Sequence, residues 1–328
     1  MVLACGGCAN GVDCRSTPPT AGKTTCMLDD QDRQVDVYVP SGDGPWPLLV
    51  LSLHGGGGAR IGGNKAWCRD GDVDADNCLA AVGTREGFVV VSPDGFNGGL
   101  NLRTWNAGGG ADGWHCISGN TCANGEDDVA RLDALLDFIA SVVDVDEQRI
   151  YVTGISNGGA MAYRLACERS DRVAAIAPIG AGNQVGAVQG CTPSAPVPVL
   201  HLHGTDDPAW LYDGGDVENV RGDVGRMMAV STSVVGTDDI PGWVDHNGCD
   251  TTPTEVDVAN AVDDGTTSRE WVYRGCTDGA EVRLVESTGG GHTIPGGWQY
   301  QSADTVGPVV QDFDASERVW QFFNRFSR

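Results

Sequence analysis

Residues 149–161 read Arg-Ile-Tyr-Val-Thr-Gly-Ile-Ser-Asn-Gly-Gly-Ala-Met. The β-branched and aromatic residues at 150–153 predict a short buried strand, and residues 160–167 are good helix formers. Ser156 therefore falls on a turn from strand to helix, within the pattern Gly-x-Ser-x-Gly. The flanking glycines would let the backbone turn tightly, expose the Ser156 hydroxyl and aim the Asn157 N–H at a developing oxyanion. An ordinary glycine turn without a catalytic role is the alternative. Whether the chain also supplies a base and an acid for Ser156 distinguishes the two interpretations.

A second glycine-rich segment, His54-Gly55-Gly56-Gly57-Gly58, follows the apolar run at 48–53, which predicts a central parallel strand. This segment lacks the Lys and Ser/Thr of a phosphate-binding loop, and it does not carry the dinucleotide fingerprint. We interpret it as a loop in which the backbone N–H of Gly56 faces a reacting carbonyl. A flexible surface loop remains the alternative.

Strand and helix patterns alternate along the rest of the chain. This alternation predicts one α/β domain with a doubly wound, mostly parallel sheet and helices on both faces, in which functional groups gather at the carboxyl ends of strands. The other predicted strands are residues 35–39, 88–92, 173–179, 197–203, 268–273 and 281–285, and the other predicted helices are 126–143 and 315–326.

Two regions depart from this pattern. Residues 1–28 are rich in Cys, Gly, Thr and Pro without periodicity, so we expect an irregular, disulfide-tied arm ahead of the main domain at 29–328. Residues 216–247 look partly helical and partly irregular, which is typical of a lid or a flanking segment.

Twelve cysteines, an even number, are typical of a disulfide-rich protein in an oxidising compartment, and none has the paired spacing of a zinc ribbon. We therefore expect a secreted or periplasmic protein. Met1 is not followed by the regions of a signal peptide, so we expect a trimmed mature form; a lipoprotein signal ending at Cys5 is the weaker alternative. Local spacing suggests the pairs Cys68 with Cys78, Cys116 with Cys122, Cys167 with Cys191 and Cys249 with Cys276.

The formal net charge is −24, from 45 acidic and 21 basic residues. Such an acid excess argues against nucleic acid or an anionic membrane as a partner. The sequence also has no apolar run of about 18 residues that could span a bilayer. We expect a monomer with an acidic, solvated surface.

Four aspartates alternate between Cys68 and Cys78, at positions 70, 72, 74 and 76. Hard oxygen ligands at this spacing are similar to the start of a calcium loop, but position 81 is Ala where an EF-hand needs a bidentate Glu. A disulfide-closed acidic loop is the favoured interpretation, with calcium ligation by Asp70, Asp72, Asp74 and Asp76 as the alternative. No other metal or organic cofactor is expected.

A serine nucleophile needs a histidine base and an acid that orients it. Of the six histidines, His292 stands in a glycine-rich loop, Gly289-Gly290-Gly291-His292-Thr293, directly after a late predicted strand. Asp206 and Asp207 both follow the strand at 197–203. The chain order Ser, Asp, His is the order that α/β-hydrolases use.

Four motifs together resemble the secreted polyhydroxybutyrate depolymerase and feruloyl esterase-like family of α/β-hydrolases, over roughly residues 33–328. They are Leu53-His54-Gly55-Gly56-Gly57, Gly154-Ile155-Ser156-Asn157-Gly158-Gly159 with Met161-Ala162-Tyr163, His203-Gly204-Thr205-x-Asp207, and Gly289-Gly290-Gly291-His292-Thr293. The resemblance implies an α/β-hydrolase fold and serine carboxylesterase activity on hydroxyalkanoic or hydroxycinnamic esters, including polymers. It also implies Ser156 as the nucleophile, Asp207 as the acid and His292 as the base. The oxyanion donors that it implies are the backbone N–H groups of Gly56 and Asn157.

The sequence departs from this family at two positions. The family often has Trp two residues after the histidine, where this chain has Ile294, and Cys in the oxyanion loop, where this chain has Gly56. We expect Trp105, Trp210 and Trp298, together with Ile294, to line the substrate pocket instead. An acyltransferase or a serine peptidase on the same fold, and a non-catalytic surface-binding homologue, are the alternatives.

The acidic surface predicts salt tolerance. Exposed like charges repel one another, and 1 M salt screens them beyond about 3 Å. We therefore expect the thermal midpoint to hold or rise between low salt and 1 M NaCl, as followed by circular dichroism. A steep fall would contradict this expectation and would point to a specific cation site, first at Asp70 to Asp76.

Overall fold

The computed structural model describes residues 12–14, 19–28, 33–42, 44–46, 49–97, 102–114, 116, 121–122, 125–218, 224–227 and 240–328. Its centre is an 11-stranded sheet with the strand order β1-β2-β3-β5-β4-β8-β9-β10-β15-β14-β13. In chain order the strands are β1 Val12–Asp13, β2 Gly22–Leu28, β3 Arg33–Val39, β4 Leu49–Leu53, β5 Val89–Pro93, β6 Phe96–Asn97, β7 Arg103–Thr104, β8 Ile150–Ile155, β9 Val173–Ile179, β10 Val199–Gly204, β11 Gly215–Glu218, β12 Val224–Met227, β13 Thr254–Asp257, β14 Thr267–Tyr273 and β15 Val282–Thr288. The helices are α1 Arg60–Ala66, α2 Leu79–Glu86, α3 Asp128–Val142, α4 Asn157–Glu168, α5 Gln184–Val188, α6 Ile240–His246, α7 Ala303–Val306 and α8 Ala315–Phe323.

The six central strands, from β5 through β4, β8, β9 and β10 to β15, pair in parallel. Antiparallel strands extend the sheet at both edges. The parallel strands β4, β5, β8, β9 and β10 are buried along their whole length, which explains why their sequences are continuous apolar runs rather than alternating ones. The predicted doubly wound, mostly parallel sheet is confirmed.

Helices cover both faces of this sheet. One core cluster contains Leu132, Leu136 and Ile139 of α3 together with much of α4. The other contains Leu79 and Val82 of α2 together with apolar residues of α8. Two of these helices begin at aspartates whose side chains accept backbone N–H groups of the first turn, which satisfies donors that the helix leaves unpaired.

The prediction of an irregular arm at residues 1–28 is wrong for residues 22–28. Gly22–Leu28 forms β2, which pairs along its full length with β3, and the disulfide Cys14–Cys26 ties the preceding segment to it. Sequence periodicity missed this strand because its first four residues, 22–25, are exposed or half-buried polar or small residues. Residues 1–11, with Cys5 and Cys8, lie outside the described residues.

The four predicted disulfides are all present, at Cys68–Cys78, Cys116–Cys122, Cys167–Cys191 and Cys249–Cys276. The segment predicted as a lid or flank contains α6, but it begins with an antiparallel hairpin of β11 and β12 that its sequence did not indicate. Residues 219–223 and 228–239 of that segment lie outside the described residues. None of the helices in the described part of the chain has the length and apolar character needed to cross a bilayer.

The disulfides should differ in what they contribute to stability. Loop-closure entropy gives about 3.5 kcal/mol for Cys167–Cys191, with a sequence separation of 24 residues, and about 2.4 kcal/mol for Cys116–Cys122, with a separation of 6. We expect a Cys167→Ala/Cys191→Ala double variant to lose more free energy of unfolding than a Cys116→Ala/Cys122→Ala double variant in urea denaturation. Equal losses would contradict this ranking.

Candidate active site

Ser156 lies between β8 and α4 with φ of 57° and ψ of −125°. A positive φ is uncommon for a residue with a side chain, and such strain is held in place only where the surrounding structure demands it. The Ser156 N–H donates to the carbonyl of Ile179 at the end of β9, at 2.8 Å. A Cβ added to Gly158 would lie 2.3 Å from the carbonyl oxygen of Leu53, so this turn packs backbone against the end of β4. The sequence therefore folds here into the predicted sharp turn.

The loop His54 to Gly58 follows β4 and packs against this turn. A Cβ added to Gly55 would lie 3.5 Å from Ser156 Cβ. The N–H groups of Gly57 and Gly58 donate to the carbonyls of Arg103 and Gly55, whereas the Gly56 N–H has no acceptor in the described part of the chain. Asn157 is the first residue of α4, so its N–H belongs to a helix N-terminus, where negative charge is stabilised. Both predicted oxyanion donors thus lie on segments that contact each other at the serine.

Two buried side chains hold these segments together. His54 Nδ1 donates to the Gly55 carbonyl at 2.7 Å, and its Nε2 accepts the N–H of Gly95 at 2.9 Å. Burial lowers the pKa of His54 to about 4, so its ring is neutral at pH 7, as this bonding requires. The Asn157 amide accepts the Trp105 N–H and the Thr104 hydroxyl and donates to the Trp105 carbonyl. Sequence analysis did not assign these roles to His54 and Asn157, because both depend on partners far away in the chain.

The predicted base and acid form a short hydrogen bond. His292 Nδ1 donates to Asp207 Oδ2 at 2.6 Å, and Asp207 Oδ1 accepts the N–H groups of Ala209 and Trp210 at 2.8 and 2.7 Å. Burial by itself would raise the pKa of Asp207, but the adjacent His292 and the hydrogen bonds from His203 and His292 hold it below its usual range. Asp207 is therefore ionised at neutral pH, while its neighbour Asp206 is exposed and accepts the Thr205 hydroxyl.

Gly180, just after β9, connects the serine with the acid and base. It has φ of 52°, and a Cβ added there would lie 3.1 Å from His292 Nδ1 and 3.2 Å from Asp207 Oδ2. The residue before it, Ile179, accepts the Ser156 N–H. The segment Ile179–Gly180 at the carboxyl end of β9 therefore touches the Ser156 turn on one side and the His292–Asp207 pair on the other.

The prediction that Trp105, Trp210, Ile294 and Trp298 line the substrate pocket is wrong for the first three. Trp105, Trp210 and Ile294 are 2%, 0% and 1% exposed, so they pack in the core and cannot line an open cleft. Trp105 instead donates its indole N–H to the His54 carbonyl and supports the glycine loop. Trp298 is half-buried and lies against Gly71 of the acidic loop.

The calcium alternative is not supported either. Asp70, Asp72, Asp74 and Asp76 are all exposed. Within the described ranges, no group of three or more His, Cys, Asp or Glu residues could hold a metal ion. The alternation of aspartates reflects a solvated loop closed by Cys68–Cys78.

Comparison with known proteins identifies the relatives of this chain. Residues 74–223 match the model of the Dienelactone hydrolase family. Feruloyl esterase B of Piromyces equi is 28% identical over 265 residues, which are 79% of this chain and 42% of that protein. Feruloyl esterase D of Neurospora crassa is 28% identical over 249 residues, 76% of this chain and 66% of that protein.

A third relative is the bifunctional acetylxylan esterase/xylanase XynS20E of Neocallimastix patriciarum, 29% identical over 192 residues, 58% of this chain and 24% of that protein. The chain thus matches less than half the length of two of these three relatives. The comparisons nonetheless confirm the resemblance that the motifs indicate: this chain is similar to feruloyl esterases and has an α/β-hydrolase fold.

Proposed function

We propose that this protein is a serine carboxylesterase that works through an acyl-enzyme. The observation that carries the proposal is the strained turn at Ser156, which adjoins the 2.6 Å His292–Asp207 pair through the segment at Gly180. A serine hydroxyl becomes a useful nucleophile only beside a positioned base, and this arrangement supplies one. A non-catalytic homologue would have no need to keep the strain at Ser156 together with a buried, ionised acid.

In the first half of the reaction, His292 Nε2 takes the proton of Ser156 Oγ as the oxygen attacks the ester carbonyl. The negative charge that develops on the carbonyl oxygen is stabilised by the N–H groups of Gly56 and Asn157. His292 then gives the proton to the departing alcohol, which leaves the acyl group on Ser156. In the second half, His292 takes a proton from water as the water oxygen attacks the acyl carbonyl; the acid is then released as His292 returns the proton to Ser156 Oγ.

Asp207 acts on the base rather than on the substrate. Its Oδ2 accepts the Nδ1 proton of His292, which leaves Nε2 without a proton and able to act as the base for Ser156. Because Asp207 is ionised, it also stabilises the imidazolium that forms during each half-reaction. The two backbone N–H groups on Oδ1 prevent the carboxylate from rotating away.

Esters of hydroxycinnamic acids are the substrate class that we propose first, because two of the most similar relatives are feruloyl esterases. The related acetylxylan esterase makes short acyl esters the next class to test. The five disulfides found among the described residues favour an oxidising compartment, so we propose that the protein acts outside the cytoplasm.

Ser156→Ala should remove essentially all esterase turnover without unfolding the protein, because only oxyanion and binding assistance to water would remain. The panel should contain methyl ferulate, short acyl nitrophenyl esters, polyhydroxybutyrate film and a peptide amide, with a competing alcohol to detect acyl transfer. Ser141→Ala, an exposed serine on α3, is the matched control and should keep full activity. A Ser156→Ala variant that retains a tenth of the wild-type rate would rule out the proposed nucleophile.

The two adjacent aspartates allow a paired test of the orienting acid. Asp207→Asn should lower turnover on the order of 10⁴-fold, because an amide presents the wrong tautomer of His292 to the serine. Asp206→Asn should lower turnover by less than about tenfold, since its carboxylate is exposed and does not contact the base. Steady-state kinetics with circular dichroism as the folding control would measure both effects. The assignment is wrong if the Asp206 variant is the inactive one.

A further inference from the structure

Behind the acid lies a row of buried hydrogen-bonding side chains that the mechanism above does not use. The Tyr163 hydroxyl is 2.6 Å from His201 Nδ1, and His201 Nε2 is 2.9 Å from His203 Nδ1. His203 Nε2 is then 2.8 Å from the Trp210 carbonyl and 3.3 Å from Asp207 Oδ2. Tyr163, His201 and His203 are all buried, and the two imidazole rings are nearly parallel.

The direction of the hydrogen bond at the Asp207 end of this row follows from its acceptor. A carbonyl only accepts, so His203 Nε2 carries the proton that faces Trp210 and Asp207. The other ring nitrogen, His203 Nδ1, is paired with His201 Nε2, and His201 Nδ1 is paired with the Tyr163 hydroxyl. Burial lowers the pKa of His201 well below its ordinary value. These pairings fix the orientation of the His203 ring, so its N–H faces Trp210 and Asp207.

The end of the row contacts Asp207 in two ways. His203 Nε2 lies 3.3 Å from Oδ2, the same oxygen that accepts from His292, and it donates its hydrogen bond to the carbonyl of Trp210. The N–H of Trp210 is one of the two donors on Asp207 Oδ1. His203 therefore both contacts the carboxylate and fixes the turn that supplies its other hydrogen bonds.

Packing alone does not account for these groups. Burying an imidazole or a phenol hydroxyl is costly unless each polar atom is paired, and an apolar side chain of similar size would avoid that requirement. A hydrogen bond to an ionised group is stronger than one between neutral groups. The buried negative charge on Asp207 is the group at which a nearby N–H, held in place by further hydrogen bonds, has most effect.

We propose that His203, aligned by His201 and Tyr163, is a positioning residue that holds the Asp207 carboxylate in register with His292. This inference rests on the proposed esterase function for its kinetic consequence, but not for its structural one. It gives the histidine of the His203-Gly204-Thr205 segment a role in catalysis without any contact with substrate.

The kinetic test compares two replacements of His203 with a matched control. His203→Leu removes the donor, and we expect kcat to fall about 10- to 100-fold while KM stays within about twofold, as the strength of a hydrogen bond to a charged group predicts. His203→Gln keeps an N–H donor near the position of Nε2 and should recover most of this loss. Asn247→Ala removes two buried hydrogen bonds to Val197 just before the same strand, so it should lower stability and leave kcat unchanged.

A spectroscopic test does not depend on turnover. The His292 Nδ1 proton, in its 2.6 Å hydrogen bond to Asp207, should give a low-field proton NMR signal that disappears in His292→Ala. We expect this signal to move or vanish in His203→Leu and to stay in place in His203→Gln and Asn247→Ala. Should the wild-type protein hydrolyse no ester on the panel, the proposed function fails while this measurement still decides the positioning role.

Two results would overturn the proposal. One is a folded His203→Leu protein with wild-type kcat, and the other is the same protein with an unchanged His292 signal. If His203→Leu does not fold, Tyr163→Phe replaces it, because that change removes only the hydroxyl that is hydrogen-bonded to His201. We expect a kcat loss of about three- to tenfold with KM unchanged, since the effect reaches Asp207 through two rings. A wild-type kcat in Tyr163→Phe would equally contradict the proposal.

Discussion

Backbone segments approach one another at the carboxyl edge of the sheet more closely than side chains would allow. A Cβ on Gly158 would lie 2.3 Å from the Leu53 carbonyl oxygen, and one on Gly204 would lie 2.1 Å from that of Gly290. Atoms at such distances overlap, so only glycine lets these turns touch. The glycine loop meets the serine turn at the first contact, and the loop of the acid meets the loop of the base at the second. The geometry of the candidate site is therefore set by main-chain packing.

The same packing excludes water from polar groups that must remain polar. Asp207 is buried and ionised, and it is compensated by two N–H groups and two imidazoles. His54 and Asn157 are buried and bonded at the other side of the serine. In a medium of low dielectric, each bond is strong and each unpaired group is expensive, so such networks hold one arrangement. A preorganised site of this kind suits a reaction in which charge appears briefly on an oxyanion and an imidazolium.

The disulfides join cysteines that are not among the candidate site residues. They close the acidic loop at Cys68–Cys78, tie the first strands through Cys14–Cys26, and link loops around the helices and the far side of the sheet. The parallel centre itself is held by apolar burial on both faces. Crosslinks of this placement restrict the unfolded chain and the periphery, and they leave the backbone contacts at the active edge to packing.

Local pattern determined much of this protein. Apolar runs predicted the buried strands, with β9 at its observed bounds, and the glycine motifs predicted which loops would carry Ser156, Asp207 and His292. Only the tertiary structure decided which side chains face solvent. Trp105 and Trp210 are in the core, β2 joins the sheet despite its polar sequence, and His203 faces Asp207. Hydrophobic periodicity indicates which face of a segment must be buried. The residues that bury that face come from distant parts of the chain, so the local sequence does not determine them.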